Sequence, residues 1–176
     1  MNKILPLIIL LLLSFGLYAQ NSINFYNKGV RLAKKEQYKK AEHFFTKAIQ
    51  LDNFFTDAYY NRALSRSKQK KYKEAIADYS KAIQFKPQFA IAYNNRGADR
   101  NEIGDYSGAI EDYTKAIELD PGYAKAYYNR GISLINIKEY DKAILDFTRA
   151  VELKPGYEEA IVNRDIAKSK KEKKEN

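Results

Sequence analysis

The chain has no cysteine. Disulfides, thiolate nucleophiles and thiolate metal sites are therefore excluded. Histidine occurs once, at His43. It stands beside Glu42 on the outer face of a predicted helix, where a lone imidazole is a surface group rather than a base. No glycine-rich phosphate loop and no cluster with metal-ligand spacing is present. Acidic pairs such as Glu111-Asp112 and Glu158-Glu159 are adjacent, so on a helix they point in different directions. These absences leave no catalytic set. The chain is expected to be no enzyme, with no cofactor and no metal.

Long apolar runs are also scarce. The one that exists, Ile4 to Leu13, follows a single charge at Lys3 and precedes S-F-G-L-Y-A-Q, with small Ala19 near its end. That is the three-part layout of a secretory signal. At 16 residues, Ile4 to Ala19 is short against the roughly 20 that a spanning helix needs. The expectation is a signal peptide over 1–19, cleaved near Ala19, and a mature protein that is exported to the periplasm or cell envelope. An uncleaved anchor is the alternative. Without cysteine at the junction, a lipid-anchored bacterial lipoprotein is excluded.

What the sequence does have is a period of 34 residues. Segments starting at Ser22, Thr56, Ala90, Ala124 and Glu158 overlay without a gap. They share A-x-A-Y-Y-N-R-G, then a turn with Tyr, then A-I-x-D-Y-x-K-A-I. A unit of this length cannot bury its apolar face alone and must stack on its neighbours. In the third unit, Ala92, Tyr93, Arg96, Gly97 and Arg100 recur at helical spacing, predicting a helix over Ile91 to Ile103. Gly104-Asp105 signals a turn, and Ser107 is a candidate N-cap. A second helix follows to about Leu119 and ends at Asp120-Pro121-Gly122.

Small residues at Gly29, Ala63, Gly97 and Gly131 are expected to face Ala41, Ala75, Ala109 and Ala143. Ala48, Ala82, Ala116 and Ala150 would meet the next unit. Four columns of rings would form the core: Phe25, Tyr59, Tyr93, Tyr127; Tyr38, Tyr72, Tyr106, Tyr140; Phe45, Tyr79, Tyr113, Phe147; and Phe55, Phe89, Tyr123, Tyr157. Arg62, Arg96 and Arg130 are each followed 16 residues later by Asp78, Asp112 and Asp146, which predicts an ion pair within each of these repeats. In the first repeat both members change, to Lys28 and Phe44.

This pattern resembles the tetratricopeptide repeat family, over about Ser22 to Arg164. The resemblance implies an all-α, right-handed superhelical array of four helix pairs (22–55, 56–89, 90–123, 124–157). The first helix of each pair would line a concave face. Asn53 departs from the Pro found at Pro87, Pro121 and Pro155, and Arg66 and Arg100 replace a large apolar side chain. Residues 158–170 read as a lone capping helix, with Asp165 blocking a further helix, and 171–176 as a flexible basic tail.

The concave face holds the candidate site. Asn27, Asn61, Asn95, Asn129 and Asn163 form a column. An Asn carboxamide offers one acceptor and two donors, enough to pair with both backbone groups of an extended peptide. The other reading is that each Asn bonds within its own unit. Beside the column lie Tyr26, Tyr60, Asn94 and Tyr128, then Val30, Leu64, Ala98 and Ile132, with Ile23, Ile91 and Ile135 nearby. The expected groove is Tyr26, Asn27, Tyr60, Asn61, Leu64, Asn94, Asn95, Tyr128, Asn129 and Ile132. The Lys/Asn/Arg clamp with which some family members hold a C-terminal carboxylate is absent: Tyr26 and Val30, then Ile91 and Asn95, stand in its places.

The formal net charge of +9 is unevenly spread. The first repeat has seven basic and three acidic residues, the second eight and three, the third three and seven, the fourth six and four. Lys34, Lys35, Lys39, Lys40, Lys68, Lys70, Lys71 and Lys73 form a basic rim. It reads either as a site for an acidic partner or anionic envelope surface, or as a solvated edge. Arg is not clustered there, so no nucleic acid is expected. The resulting expectation is an adaptor that binds an extended segment of a partner protein. A self-associating module, or a regulatory subunit of an envelope enzyme or secretion complex, is the alternative.

Overall fold

A computed structural model describes residues 20–175, so the expected signal segment lies outside the described residues. These residues form α-helices without strands: α1 (residues 20–34), α2 (Tyr38–Leu51), α3 (Thr56–Lys68), α4 (Tyr72–Phe85), α5 (Ala90–Glu102), α6 (Tyr106–Leu119), α7 (Ala124–Asn136), α8 (Tyr140–Leu153) and α9 (Glu158–Glu175). They divide into two compact units, up to Phe85 and from Lys86. Within each unit consecutive helices pack on one another. In the second, α5 also touches α7, and α7 touches α9.

The turn inside each pair has one recipe. The N–H of Gln37, Lys71, Asp105 and Glu139 reaches back five residues to the carbonyls of Leu32, Arg66, Arg100 and Leu134, at 2.9–3.0 Å. This closes the first helix and requires a left-handed residue just before the donor. Glu36, Lys70 and Lys138 take that place at φ 57°, 60° and 64°, and only the third repeat supplies a glycine, Gly104 at 81°. The N-cap of α6 is Asp105, which accepts from the Gly108 N–H at 3.0 Å, rather than Ser107. At Asn53, where the other repeats have Pro, Asp52 Oδ1 accepts from the Phe54 N–H at 3.0 Å, the same bond that Asp120 makes with the Gly122 N–H beside Pro121.

One of the four ring columns is fully buried: Phe45, Tyr79, Tyr113 and Phe147. The other three are half-buried at the margins of the core. Burying a ring of this size stabilises by roughly 2–3 kcal/mol. The glycines of the first helices face these rings, not the alanines of the second. A Cβ on Gly29, Gly97 or Gly131 would lie 2.6–2.8 Å from Phe45, Tyr113 or Phe147. The alanines fill tight places elsewhere. Ala48 shares a cluster with Ala58, and Ala150 one with Ala160 and Ala167.

The expected ion pairs are present and bidentate. Arg62, Arg96 and Arg130 each donate through Nε and Nη2 to Asp78, Asp112 and Asp146, at 2.6–2.9 Å. Arg62 and Arg130 also reach Thr46 and Thr114 of the preceding repeat. Where both members change, the Lys28 ammonium sits 4.3 Å above the Phe44 ring, so a cation–π contact replaces the salt bridge. Arg66 and Arg100, which replace a large apolar side chain, extend these ion pairs. Arg66 joins Glu42 and Asp78 at 2.9 and 2.8 Å, and Arg100 joins Asp112 at 3.2 Å.

Helix α9 continues through residues 171–175, which the sequence assigned to a flexible tail. The Lys171 ammonium, 2.6 Å from Asp141 Oδ1, ties this stretch to the start of α8.

Candidate protein-binding face

Residues at i, i+4 and i+7 of each first helix share a face, and i+1 lies at its edge, about 100° away. In the first unit this face carries Tyr26 and Asn27 from α1, and Tyr60, Asn61 and Leu64 from α3. In the second it carries Asn94 and Asn95 from α5, then Tyr128, Asn129 and Ile132 from α7.

The tyrosines are not free phenols on an open wall. The Tyr26 ring lies 5.8 Å from Phe45 and 4.9 Å from Phe55. Tyr60 packs 5.8 Å from Tyr79. Tyr128 lies 5.9 Å from Phe147 and 5.1 Å from Tyr157. All three are half-buried. Burial, and secondly the charge of Asp57, raises the pKa of Tyr26 against the opposing Asn61 hydrogen bond. Burial and then Glu159 do the same for Tyr128.

The asparagine column stitches repeats together. Asn61 Nδ2 donates to the Tyr26 hydroxyl at 3.1 Å and to the Asp57 carbonyl at 2.8 Å. Asn163 Nδ2 donates to the Tyr128 hydroxyl at 3.4 Å and to the Glu159 carbonyl at 2.8 Å. Both amide protons are thereby used. The two-way pairing with a peptide is not available to these side chains; each retains Oδ1, an acceptor for a partner's N–H. Asn94, expected on the groove, is buried at 1% exposure. It accepts from Asn129 at 2.9 Å and donates to Asn95 at 3.2 Å, so an amide pair replaces the tyrosine–asparagine bond. Asn27 is exposed, while Asn95, Asn129, Leu64 and Ile132 are half-buried.

Sequence reasoning under-weighted the apolar residues that stay in solvent. Ile23, Ile91, Val162 and Ile166 are 44%, 49%, 56% and 42% exposed. All four fall on the first-helix face. Spacing from the repeat's Asn (Ile23 and Ile91 one turn before it, Val162 and Ile166 flanking Asn163) was the signal that marked them.

Seven of the eight rim lysines are exposed. Lys71 is not among them: it turns inward to Glu42 Oε2 at 2.8 Å. Burial alone would raise the pKa of Glu42. Hydrogen bonds from Lys71, Arg66 and Gln69 outweigh it and hold the carboxyl at about 2, below the ordinary 4.5. A carboxylate with a depressed folded pKa stabilises fully above its unfolded value, and that contribution fades as pH falls from 4.5 toward 2. Glu42→Gln is therefore expected to cost about 2 kcal/mol at pH 7. The gap in Tm between wild type and variant should close as the melting experiment is taken down to pH 2–3. A gap that stays constant with pH would show that Glu42 is not held ionised by this network.

Family models place the chain. The tetratricopeptide repeat model matches residues 56–89 and 124–157, a second such model matches 24–55, and a TPR repeat model matches 100–136. The chain is a tetratricopeptide-repeat protein. No curated protein matches it significantly. Among solved structures it is similar to the MamA protein, with TM-score 0.83, 23% identity, 86% of this chain and 83% of that one covered. It is similar to YrrB, a TPR protein with an unusual peptide-binding site, with TM-score 0.76, 24% identity and coverages of 86% and 78%. The first TPR of Spaghetti (RPAP3), bound to the HSP90 peptide SRMEEVD, aligns with TM-score 0.64, 26% identity and coverages of 65% and 90%. The TPR array is a protein-interaction fold, and its all-α architecture is that of these neighbours.

Proposed function

We propose that this TPR protein is an adaptor of the cell envelope that holds an extended segment of a partner protein against its first-helix face. The observation that carries this reading is apolar surface left in solvent on that face, at Ile91, Val162 and Ile166, with the Asn163 oxygen beside the last two, its amide protons already engaged. Apolar side chains of a segment would seat on the former, and its backbone N–H groups would donate to the latter. Each such hydrogen bond contributes only about 1 kcal/mol net, so affinity comes from several repeats plus apolar anchors. The peptide bound by the first TPR of Spaghetti supports the mode of binding. The apolar run before Ala19 supports export. Exposed Lys34, Lys35, Lys39, Lys40, Lys68, Lys70 and Lys73 support an acidic or anionic contact at the rim of the first unit.

Capture from envelope extract tests the reading. Ile91→Ser/Val162→Ser removes exposed apolar surface without entering the core, so Tm should hold while partner recovery falls at least five-fold. Equal recovery by wild type and variant would remove the basis for binding at this face.

A further inference from the structure

A capping helix is expected to keep its outer surface polar. Helix α9 does so on only part of its circumference. Ala160 and Ala167 are fully buried against the fourth repeat, yet Val162 and Ile166 stand 56% and 42% exposed on another face. Glu159, Val162, Asn163 and Ile166 follow the i, i+3, i+4, i+7 spacing of one helical stripe. Between this stripe and α7 lies an open cleft of about 580 Å³, lined by Tyr128, Gly156, Glu158, Glu159, Val162 and Asn163.

The polar lining of the cleft is one-sided. The amide protons of Asn163 are spent on the Tyr128 hydroxyl and the Glu159 carbonyl. Glu158 and Glu159 are exposed and make no ion pair among the described residues. Lys125 shares the α7 face one turn before Tyr128, but it does not line the cleft. The residues lining the cleft thus bring two glutamates, an amide oxygen, an aromatic wall and an aliphatic floor, with the Tyr128 hydroxyl as their one side-chain donor.

We propose that this cleft takes a lysine or arginine side chain of the partner's extended segment, with a neighbouring aliphatic residue of that segment seated on Val162 and Ile166. The proposal rests on the peptide-binding reading above and names the chemistry of the partner. A cationic head donates to the glutamate carboxylates and neutralises their charge. Its methylene stem lies along Val162 and the Tyr128 ring. An acidic segment or a C-terminal carboxylate meets like charge there. The first-turn position of both glutamates also stabilises α9 through the helix dipole; that role alone predicts no effect on ligand choice.

The test is fluorescence anisotropy on the full chain at 0.15 M salt. The probes are two labelled ten-residue peptides, one alternating leucine with arginine and one alternating leucine with glutamine. Wild type is expected to bind the arginine peptide at least ten-fold more tightly. Glu158→Gln/Glu159→Gln should bring the two within three-fold by weakening the arginine peptide. Equal binding of both peptides by wild type overturns the proposal, as does a preference that survives the double substitution. If wild type binds both peptides equally and the glutamine peptide is lost in Ile91→Ser/Val162→Ser, the face reading stands without the cationic pocket. If neither peptide binds, both readings fall.

Discussion

Asp146→Ala is expected to destabilise the second unit by about 4 kcal/mol, the cost of leaving a half-buried guanidinium without its counter-ion. Asp146 is only 6% exposed and takes two hydrogen bonds from Arg130, each at 2.8 Å. A loss of this size should lower Tm by about 10 °C. The first repeat shows how the site is rebuilt without charge pairing. There Lys28 lies over Phe44, and Leu32 occupies the place of Leu134. Arg130→Lys/Asp146→Phe copies that solution, with Tyr127 standing where Phe25 stacks on Phe44. The double variant should recover at least half of the loss in thermal melts. If it is no more stable than Asp146→Ala, the two arrangements are not interchangeable and the pair-by-pair account of these repeats fails.

Gly131→Val should cost about 3 kcal/mol by overpacking. A Cβ at Gly131 would fall 2.7 Å from Phe147 Cε1, and Phe147 is fully buried. The ring has to move for a single methyl, and valine adds two more carbons in the same space. Gly131→Ala is the informative companion. The second repeat already pairs Ala63 with Tyr79 at this position, so the ring can yield by a few tenths of an ångström. The alanine gain in helix propensity, about 1 kcal/mol, should then roughly cancel the strain. Urea unfolding of both variants checks the difference; a valine variant as stable as wild type would mean that the ring is loosely held.

The helix pairs were legible because the period and its small and aromatic positions recur four times, so each repeat corroborates the others, even though the turn and cap residues differ. The Arg–Asp pairs were legible for the same reason: a spacing of 16 across a fixed hairpin returns the same two positions to one another. The candidate face was legible as a set of positions, but not in its chemistry. Asn61 and Asn163 looked like two-way peptide readers until their donors were found on Tyr26 and Tyr128 of the preceding repeat. Asn94 looked like a groove residue and is buried in an amide pair with Asn129. Lys71 looked like its rim neighbours and is drawn inward by Glu42, 29 residues earlier.

The sequence by itself determined the period, the helices and the small residue that faces each buried ring, because those depend on neighbours within one hairpin, where the repeat leaves no freedom. Only the tertiary structure decided which polar groups remain for a partner. A hydrogen bond or ion pair formed between one repeat and the next consumes a side chain's donors or charge, and nothing in that side chain's own position along the helix announces it.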